Sequence, residues 1–364
     1  MKNNDKQIAL VLVYHHNPLS CDGGSTSLFE ILQWIQQQGG KMNAYTFINF
    51  DPHLQYEDRN IARLGQKYKI DQNIIPFSGK KIGNKYYQNV LKMVFAKLKD
   101  NPVDYAITCD SDHISLLAVS LLGIKGAHFF HSLANINAYV NDLEYIKLLK
   151  RRDVFTASRF LQERAKELLD IDSEVWQMMP SSVKCNDLRN RAKINAVGYY
   201  SSGRHKGDDI VNALIERAPH IRFIVIGGKY THSFNRIPNN VEYLGEITDV
   251  KEFYKKIKIL LVPSLLYEGF PRVILEAAIN GIPVIANKVG GIPEALGDSG
   301  ILVNIDLDNF DVNRRTEKYV SFINMLLNNE DMYNNFSNKS LQRAKEYKEQ
   351  QNEKCLHNYM TYIL

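Results

Sequence analysis

The stretch Ile259–Asn280, ILLVPSLLYEGFPRVILEAAIN, joins an apolar run, a short loop and a helical segment. The run Ile259–Val262 lacks the alternation of a half-exposed strand, so it predicts a strand buried on both faces. Pro271 suits the first position of a helix ending near Asn280, because its ring fixes φ and its missing N–H would have been unpaired there. Gly281 suits the residue after a helix. The stretch therefore predicts a strand–loop–helix unit of an α/β domain.

Short apolar runs alternate with helical segments along most of the chain. Six runs precede residue 182: Ile8–Tyr14, Ala44–Ile48, Tyr105–Thr108, Ala127–Phe130, Val154–Thr156 and Val175–Met178. Five follow residue 193: Ala196–Tyr199, Phe223–Ile226, Ile259–Val262, Pro283–Ala286 and Ile301–Val303. Buried strands separated by helices indicate parallel sheets covered on both faces. The pattern predicts two Rossmann-like, doubly wound domains.

The domain boundaries follow from a polar stretch at 181–193 that interrupts the pattern. We place a first domain at 1–182 and a second at 193–345, with a C-terminal helix at about 346–364 that can pack back on the first. Because ligands bind at the carboxyl ends of parallel strands, two tandem sheets would set two binding edges across a cleft. Such a cleft suits an enzyme that joins two substrates.

Composition fits this picture and narrows the function. The 364 residues are 45% hydrophobic and 23% charged, with a net charge of +5 that suits anionic ligands but is too small to require nucleic acid. The four cysteines show neither paired nor metal-ligand spacing. No signal peptide and no membrane-spanning run is apparent. We expect a cytoplasmic protein, with peripheral contact with the inner membrane face as an alternative.

The start of the helix after Gly269 has the chemistry of an anion site. The first backbone amides of a helix lack partners within it, and the helix dipole adds partial positive charge, so this end suits a pyrophosphate. Gly269 lets a ligand approach the loop backbone. Glu268 and Glu276 would flank that site, and carboxylates beside a phosphate need hydroxyl donors such as those of sugar and ribose. The segment therefore predicts a nucleotide-sugar site.

A set of short motifs in the second half of the chain carries a family resemblance. They are Pro263-Ser264, Glu268–Pro271, Glu276-Ala277, Gly281–Val284, Gly290–Glu294 and Gly300–Val303. These motifs resemble glycosyltransferase family 4, the retaining enzymes of the GT-B fold. The resemblance implies that Glu268 contacts donor-sugar hydroxyls and that Glu276 holds the ribose. It also implies donor contacts for Gly269, Phe270, Pro271 and Arg272.

A basic loop at Gly203–Gly207 follows the first strand of the second domain. Its position resembles the family loop whose lysine neutralises the leaving diphosphate, which makes Lys206 the candidate. Arg204 is the candidate second cation, since a guanidinium binds phosphate oxygens in a bidentate manner. The chain departs from the family at Tyr199, where an arginine is common. Either Arg204 supplies that charge or phosphate binding is weaker.

The first domain contributes a glycine pair and a histidine. Gly23 and Gly24 follow the first strand and open a helix, where the family has a loop facing the acceptor and the donor phosphates. A tight turn without a ligand is the alternative explanation. His131 ends the run Ala127–Phe130, where the family has an active-site histidine near the donor sugar; a structural histidine is the alternative.

Three further residues raise the question of a metal. Asp110, Asp112 and His113 cluster at a strand end and superficially suggest a metal site. Glycosyltransferases of the resembled fold usually need no metal, because cationic side chains and a helix terminus do that work. We therefore expect no metal and no cofactor besides a donor such as a UDP- or GDP-linked sugar.

The resulting hypothesis is a retaining hexosyltransferase that acts in glycan or glycolipid biosynthesis, with a glycan, lipid or small-molecule acceptor. Its alternatives are a nucleic-acid- or protein-modifying glycosyltransferase, a GT-B epimerase or phosphorylase, and a catalytically weak protein of the same fold that only binds nucleotide sugars. Lysines and apolar residues repeat at helical spacing within 80–99, which predicts an amphipathic basic helix. That helix either packs on the sheet with its lysines in water or docks on anionic lipid.

Overall fold

The computed structural model describes residues 6–14, 23–49, 66–77, 83–177, 180, 185, 194–201, 203–227, 236–247, 249–305 and 312–363. The chain divides into two compact units, one formed by 1–178 with 351–364 and the other by 179–350. The residues on which we placed the domain junction lie mostly outside the described part, as do Cys21 and Asp22. The C-terminal segment thus belongs to the first unit.

The first unit contains a seven-stranded parallel sheet. Its strands are β1 Gln7–Tyr14, β2 Lys41–Asn49, β3 Asp71–Phe77, β4 Tyr105–Cys109, β5 Gly126–Phe130, β6 Asp153–Thr156 and β7 Glu174–Val175. Its helices are α1 Gly23–Gln37, α2 Gly83–Asp100, α3 His113–Leu121, α4 Leu133–Asn137, α5 Leu143–Leu149 and α6 Arg159–Leu169. The strand order is β3-β2-β1-β4-β5-β6-β7. Because the order reverses between β1 and β4, ligands are expected at the carboxyl ends of those strands.

The second unit contains a six-stranded parallel sheet of the same topology. Its strands are β8 Ala196–Tyr200, β9 Arg222–Ile226, β10 Val241–Gly245, β11 Ile259–Val262, β12 Val284–Asn287 and β13 Gly300–Val303. Its helices are α7 Asp208–Arg217, α8 Lys251–Lys256, α9 Arg272–Ile279, α10 Ile292–Leu296 and α11 Val312–Asn328. The helix α12, Glu330–Asn358, runs from this unit into the C-terminal segment. The order β10-β9-β8-β11-β12-β13 places its switch point between β8 and β11.

The central strands are buried because their side chains pack against helices on both faces of each sheet. All four residues of Ile259–Val262 are buried, and the two faces of β11 contribute to two separate hydrophobic clusters. The same holds for β1, whose alternate residues enter two clusters of the first unit. The predicted fold class, two doubly wound α/β domains, is confirmed.

Two details of the predicted elements are wrong by a small margin. The helix after the Glu268 loop begins at Arg272, and Pro271 is its N-cap, with φ −72° and an extended ψ of 108°. Gly23 and Gly24 lie in the first turn of α1 rather than in a loop before it. Proline is compatible with both the N-cap and the first helical position, because its fixed φ is shared by helix and extended backbone.

The basic helix predicted within 80–99 is α2, and its apolar side packs on the sheet. Tyr86, Val90, Val94 and Leu98 repeat every four residues and are buried in one cluster with β1 and β4 residues. Lys85, Lys92 and Lys99 are exposed, whereas Lys80 and Lys81 lie outside the described residues. Within the described part of the chain, no helix is both long and apolar enough to cross a bilayer.

Candidate active site

The basic loop of the second unit brings a lysine onto the predicted sugar-binding glutamate. Arg204–Lys206 forms a single 3-10 turn between β8 and α7. The Nζ atom of Lys206 lies 2.6 Å from Oε1 and 2.8 Å from Oε2 of Glu268. The hydroxyl of Ser264 donates to Oε1 of the same carboxylate at 2.6 Å. The pair is only partly solvated, since the lysine side chain is 31% and the glutamate side chain 13% exposed.

Close backbone packing holds the Glu268 loop in place. The amide of Gly291 donates to the carbonyl of Glu268 at 2.7 Å. A Cβ atom on Gly291 would lie 1.9 Å from the carbonyl oxygen of Gly269, so no larger residue fits without moving the loop. Gly207, at φ +100°, is pressed against Pro263 in the same way. The sequence therefore needs glycine at both positions to bring the basic loop and the glutamate loop together.

The second glutamate of the motif is buried in α9. Glu276 is 8% exposed, and its Oε2 accepts a hydrogen bond of 2.7 Å from the hydroxyl of Tyr254. An Nη2 atom of Arg272 lies 3.9 Å from Oε1. Burial, followed by the neighbouring charge of Glu276, raises the pKa of Tyr254 well above its ordinary value, so the phenol remains a donor. One carboxylate oxygen is thus fixed by the protein, and the other lies on the side of Arg272.

The start of α9 carries no side-chain cap. Pro271 offers no side-chain acceptor, and the amide of Ile274 bonds back to its carbonyl at 3.1 Å. Uncapped amides and the helix dipole together favour an anion at this end of the helix. The helix start, Lys206 and the two glutamates all lie in the loops after β8 and β11 or in the helix that follows, as the switch-point rule predicts.

The two departures at the phosphate end have different outcomes. Tyr199 is 1% exposed and belongs to a hydrophobic cluster, and its hydroxyl donates to Oδ1 of Asp208 at 2.7 Å. Arg204 has 72% of its side chain in solvent, and its Nε lies 4.0 Å from Asp209. Tyr199 therefore has a packing role. Of the two candidate cations, Lys206 is the one that contacts a predicted site residue in the described structure.

In the first unit, His131 directly follows β5 and pairs with an aspartate that follows β4. Its Nδ1 lies 3.1 Å from Oδ2 of Asp110, and its amide donates to Oδ1 at 2.9 Å. Burial works to raise the pKa of Asp110, but the imidazole and its hydrogen bonds outweigh burial and hold that pKa below its ordinary value. A Cβ atom on Gly24 would lie 3.1 Å from the imidazole Cγ, so the start of α1 approaches the ring closely. The pair fixes the orientation of the ring.

Asp110 itself adopts an unusual backbone conformation. Its φ is +54°, and its carbonyl accepts hydrogen bonds from His128 Nε2 at 3.0 Å and from the hydroxyl of Tyr139 at 2.8 Å. Burial lowers the pKa of His128 to about 3, which keeps that ring neutral at physiological pH. A positive φ is costly for a non-glycine residue and persists where neighbours fix it. Those two donors hold the carboxylate toward His131.

The remaining residues of the suspected metal cluster have other roles. Asp112 caps α3 by accepting from the amide of Ser115 at 3.0 Å, and it also accepts from the amide of Val13 at 2.7 Å. The ring of His113 stacks on Tyr139. Across the described ranges, no group of three or more histidine, cysteine, aspartate or glutamate side chains is arranged to hold a metal ion.

Comparison with known proteins places this site in a family. Residues 201–313 match the model of the family "Glycosyl transferases group 1". An uncharacterized 41.2 kDa protein in the cps region of Klebsiella pneumoniae is 35% identical over 34% of this chain and 36% of its own length. An uncharacterized glycosyltransferase of Methanocaldococcus jannaschii is 28% identical over 75% of this chain and 74% of its own. The phosphatidylinositol N-acetylglucosaminyltransferase of Arabidopsis thaliana has one chain that is 30% identical over 35% of this chain and 31% of its own.

The whole fold has counterparts among solved structures. The Anabaena protein HepE, solved in complex with UDP-glucose, superposes with a TM-score of 0.68 at 15% identity, covering 95% of this chain and 98% of that one. The chain belongs to the GT-B glycosyltransferases. The predicted resemblance is therefore confirmed. The matched stretches span only about a third of the Klebsiella and Arabidopsis relatives.

In this GT-B protein, the structure groups the predicted residues of the second unit and adds partners that the sequence did not reveal. Glu268, Lys206 and the Gly269–Arg272 segment are brought together, with Phe270 packed against Tyr347. Ser264, Tyr254 and Asp110 are the added partners. Each lies close to a strand end or in a helix far from the motif in sequence, and hydrogen-bonding side chains in such positions have no spacing signal. The roles of the predicted residues stay predictions.

Replacing Gly291 with alanine in this GT-B protein should disrupt the glutamate loop. The new methyl group would overlap the Gly269 carbonyl, so the loop must move and the Gly291–Glu268 hydrogen bond must lengthen or break. We expect the free energy of unfolding to fall by about 2–4 kcal/mol, the range for strain and overpacking in a tight site. Urea denaturation measures this loss.

Gly245→Ala is the matched control for that experiment. Gly245 has a positive φ of +64°, but a Cβ atom there would meet nothing within 4 Å. It should lose only the cost of a left-handed alanine, about 1 kcal/mol. Equal losses in the two variants would show that the contact with Gly269 is unimportant.

Proposed function

We propose that this protein transfers a hexosyl unit from a nucleoside diphosphate sugar to an acceptor hydroxyl, with retention at the anomeric carbon and without a metal or other cofactor. The observation that carries the proposal is the Lys206–Glu268 pair at the switch point of the second sheet, beside the uncapped start of α9. A cation and a carboxylate in contact suit a ligand that is anionic at one end and rich in hydroxyls at the other.

The donor would exchange partners with the resting ion pair. Sugar hydroxyls would donate to Glu268, which Ser264 already holds in position. Lys206 would then turn from the carboxylate to the diphosphate, and the first amides of α9 would contact the same phosphates. Glu276 would accept from the ribose hydroxyls, with Tyr254 fixing its other oxygen. Each role uses the group whose chemistry it requires.

Cleavage of the donor separates charge, and the proposed site stabilises both parts. The bond between the anomeric carbon and the phosphate oxygen breaks, which leaves an oxocarbenium-like sugar and places an additional negative charge on the diphosphate. Lys206 and the α9 amides would stabilise that charge, an effect of the kind that contributes about 3–4 kcal/mol per group in other enzymes. The leaving phosphate would accept the proton of the acceptor hydroxyl on the same face of the sugar. Attack on that face retains the anomeric configuration.

His131 would contribute from the first unit. Asp110 fixes the Nδ1 side of its ring, so in the neutral state the proton lies on Nδ1 and Nε2 is an acceptor. An oriented acceptor of this kind can receive a hydroxyl proton of the donor sugar in a hydrogen bond. We propose this contact for His131 because Nε2 is the ring nitrogen on the side opposite Asp110.

Relatives support a glycan or glycolipid setting for this reaction. The Arabidopsis protein is named for transfer of N-acetylglucosamine to phosphatidylinositol, and the solved Anabaena protein holds UDP-glucose. We therefore propose a UDP- or GDP-linked donor and a cytoplasmic location with a saccharide, lipid or small-molecule acceptor. Peripheral contact between the lysines of α2 and anionic lipid is proposed as a secondary feature, and vesicle binding at low salt measures it.

One observation favours a second candidate function. With Tyr199 buried in the core and Arg204 in solvent, Lys206 is the one cation of the pair that reaches the proposed site. A site with one cation binds a diphosphate but stabilises its developing charge less than a site with two. A nucleotide-sugar-binding protein of low turnover is the alternative, and binding without measurable donor cleavage would favour it.

A thermal-shift panel of UDP-, GDP-, ADP- and dTDP-sugars tests the proposed donor. A ligand that binds the native state stabilises it by about 2.7 kcal/mol at a concentration 100 times its Kd, which raises Tm by several degrees. We expect one nucleotide class to raise Tm and the others to leave it unchanged. If no nucleotide sugar in the panel changes Tm at millimolar concentration, the proposed function is wrong.

A further inference from the structure

The first unit contains a groove of about 520 Å³ that none of the roles described above uses. Its walls come from the first half of α2, from the start of α3 and from Tyr145 of α5. α2 follows β3 and α3 follows β4, so both helices begin at the carboxyl edge of the sheet. His131 and Asp110 follow strands of the same sheet at the same edge, and His113 of the groove is three residues after Asp110. The groove therefore opens beside the residues proposed to act on the donor sugar.

The groove is lined by aromatic rings and neutral polar groups. Tyr87 is 39% exposed, and Tyr145 and His113 are half-buried with their ring centroids 4.6 Å apart. Asn84 and Gln88 of α2 add exposed amides. Among the described residues that line it, none is a lysine, arginine, aspartate or glutamate. An uncharged lining of this kind suits a ligand that has apolar faces and hydroxyl edges.

His113 adds a hydrogen-bond acceptor in a fixed orientation. Its Nδ1 lies 2.8 Å from the carbonyl oxygen of Ser111, and a carbonyl can only accept, so Nδ1 carries the proton. In the neutral ring Nε2 is then an acceptor. The ring also stacks on Tyr139, with centroids 4.3 Å apart and planes at 23°, which limits its rotation. Groups of this kind, few and fixed in an otherwise apolar wall, set the orientation of a ligand.

We propose that this groove binds the acceptor as an uncharged saccharide ring, whose C–H face lies on Tyr87 or Tyr145 and whose hydroxyls reach His113 and the α2 amides. Naming this ligand the acceptor rests on the proposed function, whereas the saccharide site itself does not. A charged sugar would find no counter-ion among the lining residues, and an alkyl chain would leave the amides and His113 without partners. The chemistry of the lining therefore favours a neutral sugar over either.

Saturation-transfer NMR on the full chain tests the site without requiring activity. The probes are methyl α-glucoside, methyl α-mannoside and methyl N-acetyl-β-glucosaminide, with methyl glucuronide as the charged comparison. We expect at least one neutral glycoside to receive saturation on its ring protons and to compete with the others. Absence of any signal from all three neutral probes, or a preference for the glucuronide, would overturn the proposal.

Two variants and a control locate the signal. Tyr87→Ala should weaken binding of the neutral glycoside by about fivefold, the factor for a lost aromatic contact. His113→Phe keeps the stack on Tyr139 but removes the acceptor nitrogen, and it should weaken binding to a similar degree. Lys92→Ala changes an exposed residue of the same helix that does not line the groove, and it should bind normally. Normal binding in both groove variants would place the saccharide elsewhere and overturn the proposal.

Octyl glucoside separates a sugar site from a lipid site. If saturation falls on the octyl protons rather than the ring protons, and Tyr87→Ala removes it, the groove binds an alkyl chain and the proposal is wrong. The donor panel gives an independent result. Saccharide binding with no nucleotide response would refute the proposed function alone, whereas a nucleotide response with no saccharide signal would refute the groove alone.

Discussion

Replacing Lys206 with alanine is expected to reduce the rate of donor cleavage by about 100- to 1,000-fold, the cost of removing one group that stabilises developing negative charge. The reason is that Lys206 is the cation in contact with the proposed sugar-binding carboxylate, while Arg204 points into solvent. Donor cleavage can be measured as release of the nucleoside diphosphate, both with and without an acceptor. The loss should appear in kcat, because the charge forms in the transition state.

The control must separate lost chemistry from lost structure. Removing Lys206 leaves Glu268 with Ser264 as a hydrogen-bond partner, so Tm should be compared with that of the wild type. Lys255→Ala removes a lysine of α8 that is paired with Glu252 on the surface and should change neither Tm nor turnover measurably. Arg204→Ala should reduce turnover far less than Lys206→Ala. Turnover of Lys206→Ala within a few-fold of the wild type would exclude Lys206 from the chemistry.

The fold was predictable because its central strands are buried on both faces. Uninterrupted apolar runs such as Ile8–Tyr14 and Ile259–Val262 are the signal of such strands, and both form as predicted. The edge strands β3 and β10 were missed. β3 carries Asp71, Asn73 and a proline, and every residue of β10 is only half-buried, so neither has the composition of a covered strand.

The second-unit site was predictable because its residues lie close together in sequence. The loop, the helix start and both glutamates fall within a few turns of chain, so their spacing carries the geometry. The basic loop is 62 residues away from Glu268, and only the resemblance connected it to the motif. The contact itself depends on Gly207 and Gly291, which let the two loops approach, and the sequence shows the glycines without showing what they face.

The first-unit site shows where prediction from a single sequence ends. His131 and Asp110 were both noted at strand ends, but Asp110 was grouped with a metal site instead of with the histidine. The pairing arises because β4 and β5 are neighbours in the sheet, which places the residues after them side by side. Its orientation depends on the positive φ of Asp110 and on two buried donors to its carbonyl. Neither feature follows from residue spacing.

Replacing Glu276 with glutamine is expected to weaken nucleoside diphosphate binding by about 10- to 100-fold, the range for hydrogen bonds that lose a charged acceptor. Tyr254 already fixes one oxygen of this buried carboxylate, and glutamine can keep that hydrogen bond through its own oxygen. The other position becomes an amide NH2, which cannot accept from a ribose hydroxyl and faces Arg272 across 3.9 Å in the present structure. The fold should therefore persist while the proposed ribose contact is lost.

The ribose itself provides the sharpest control for Glu276. Calorimetric titration should compare the nucleoside diphosphate that scores in the donor panel with its 2′,3′-dideoxy form. The wild type should prefer the natural ribose by about 10-fold or more, and Glu276→Gln should bind the two forms almost equally, because the group that distinguishes them is gone. Glu252→Gln, on the surface of α8, should keep the wild-type preference. If Glu276→Gln also keeps it, the ribose is held elsewhere, and the buried glutamate serves only to receive the Tyr254 hydroxyl.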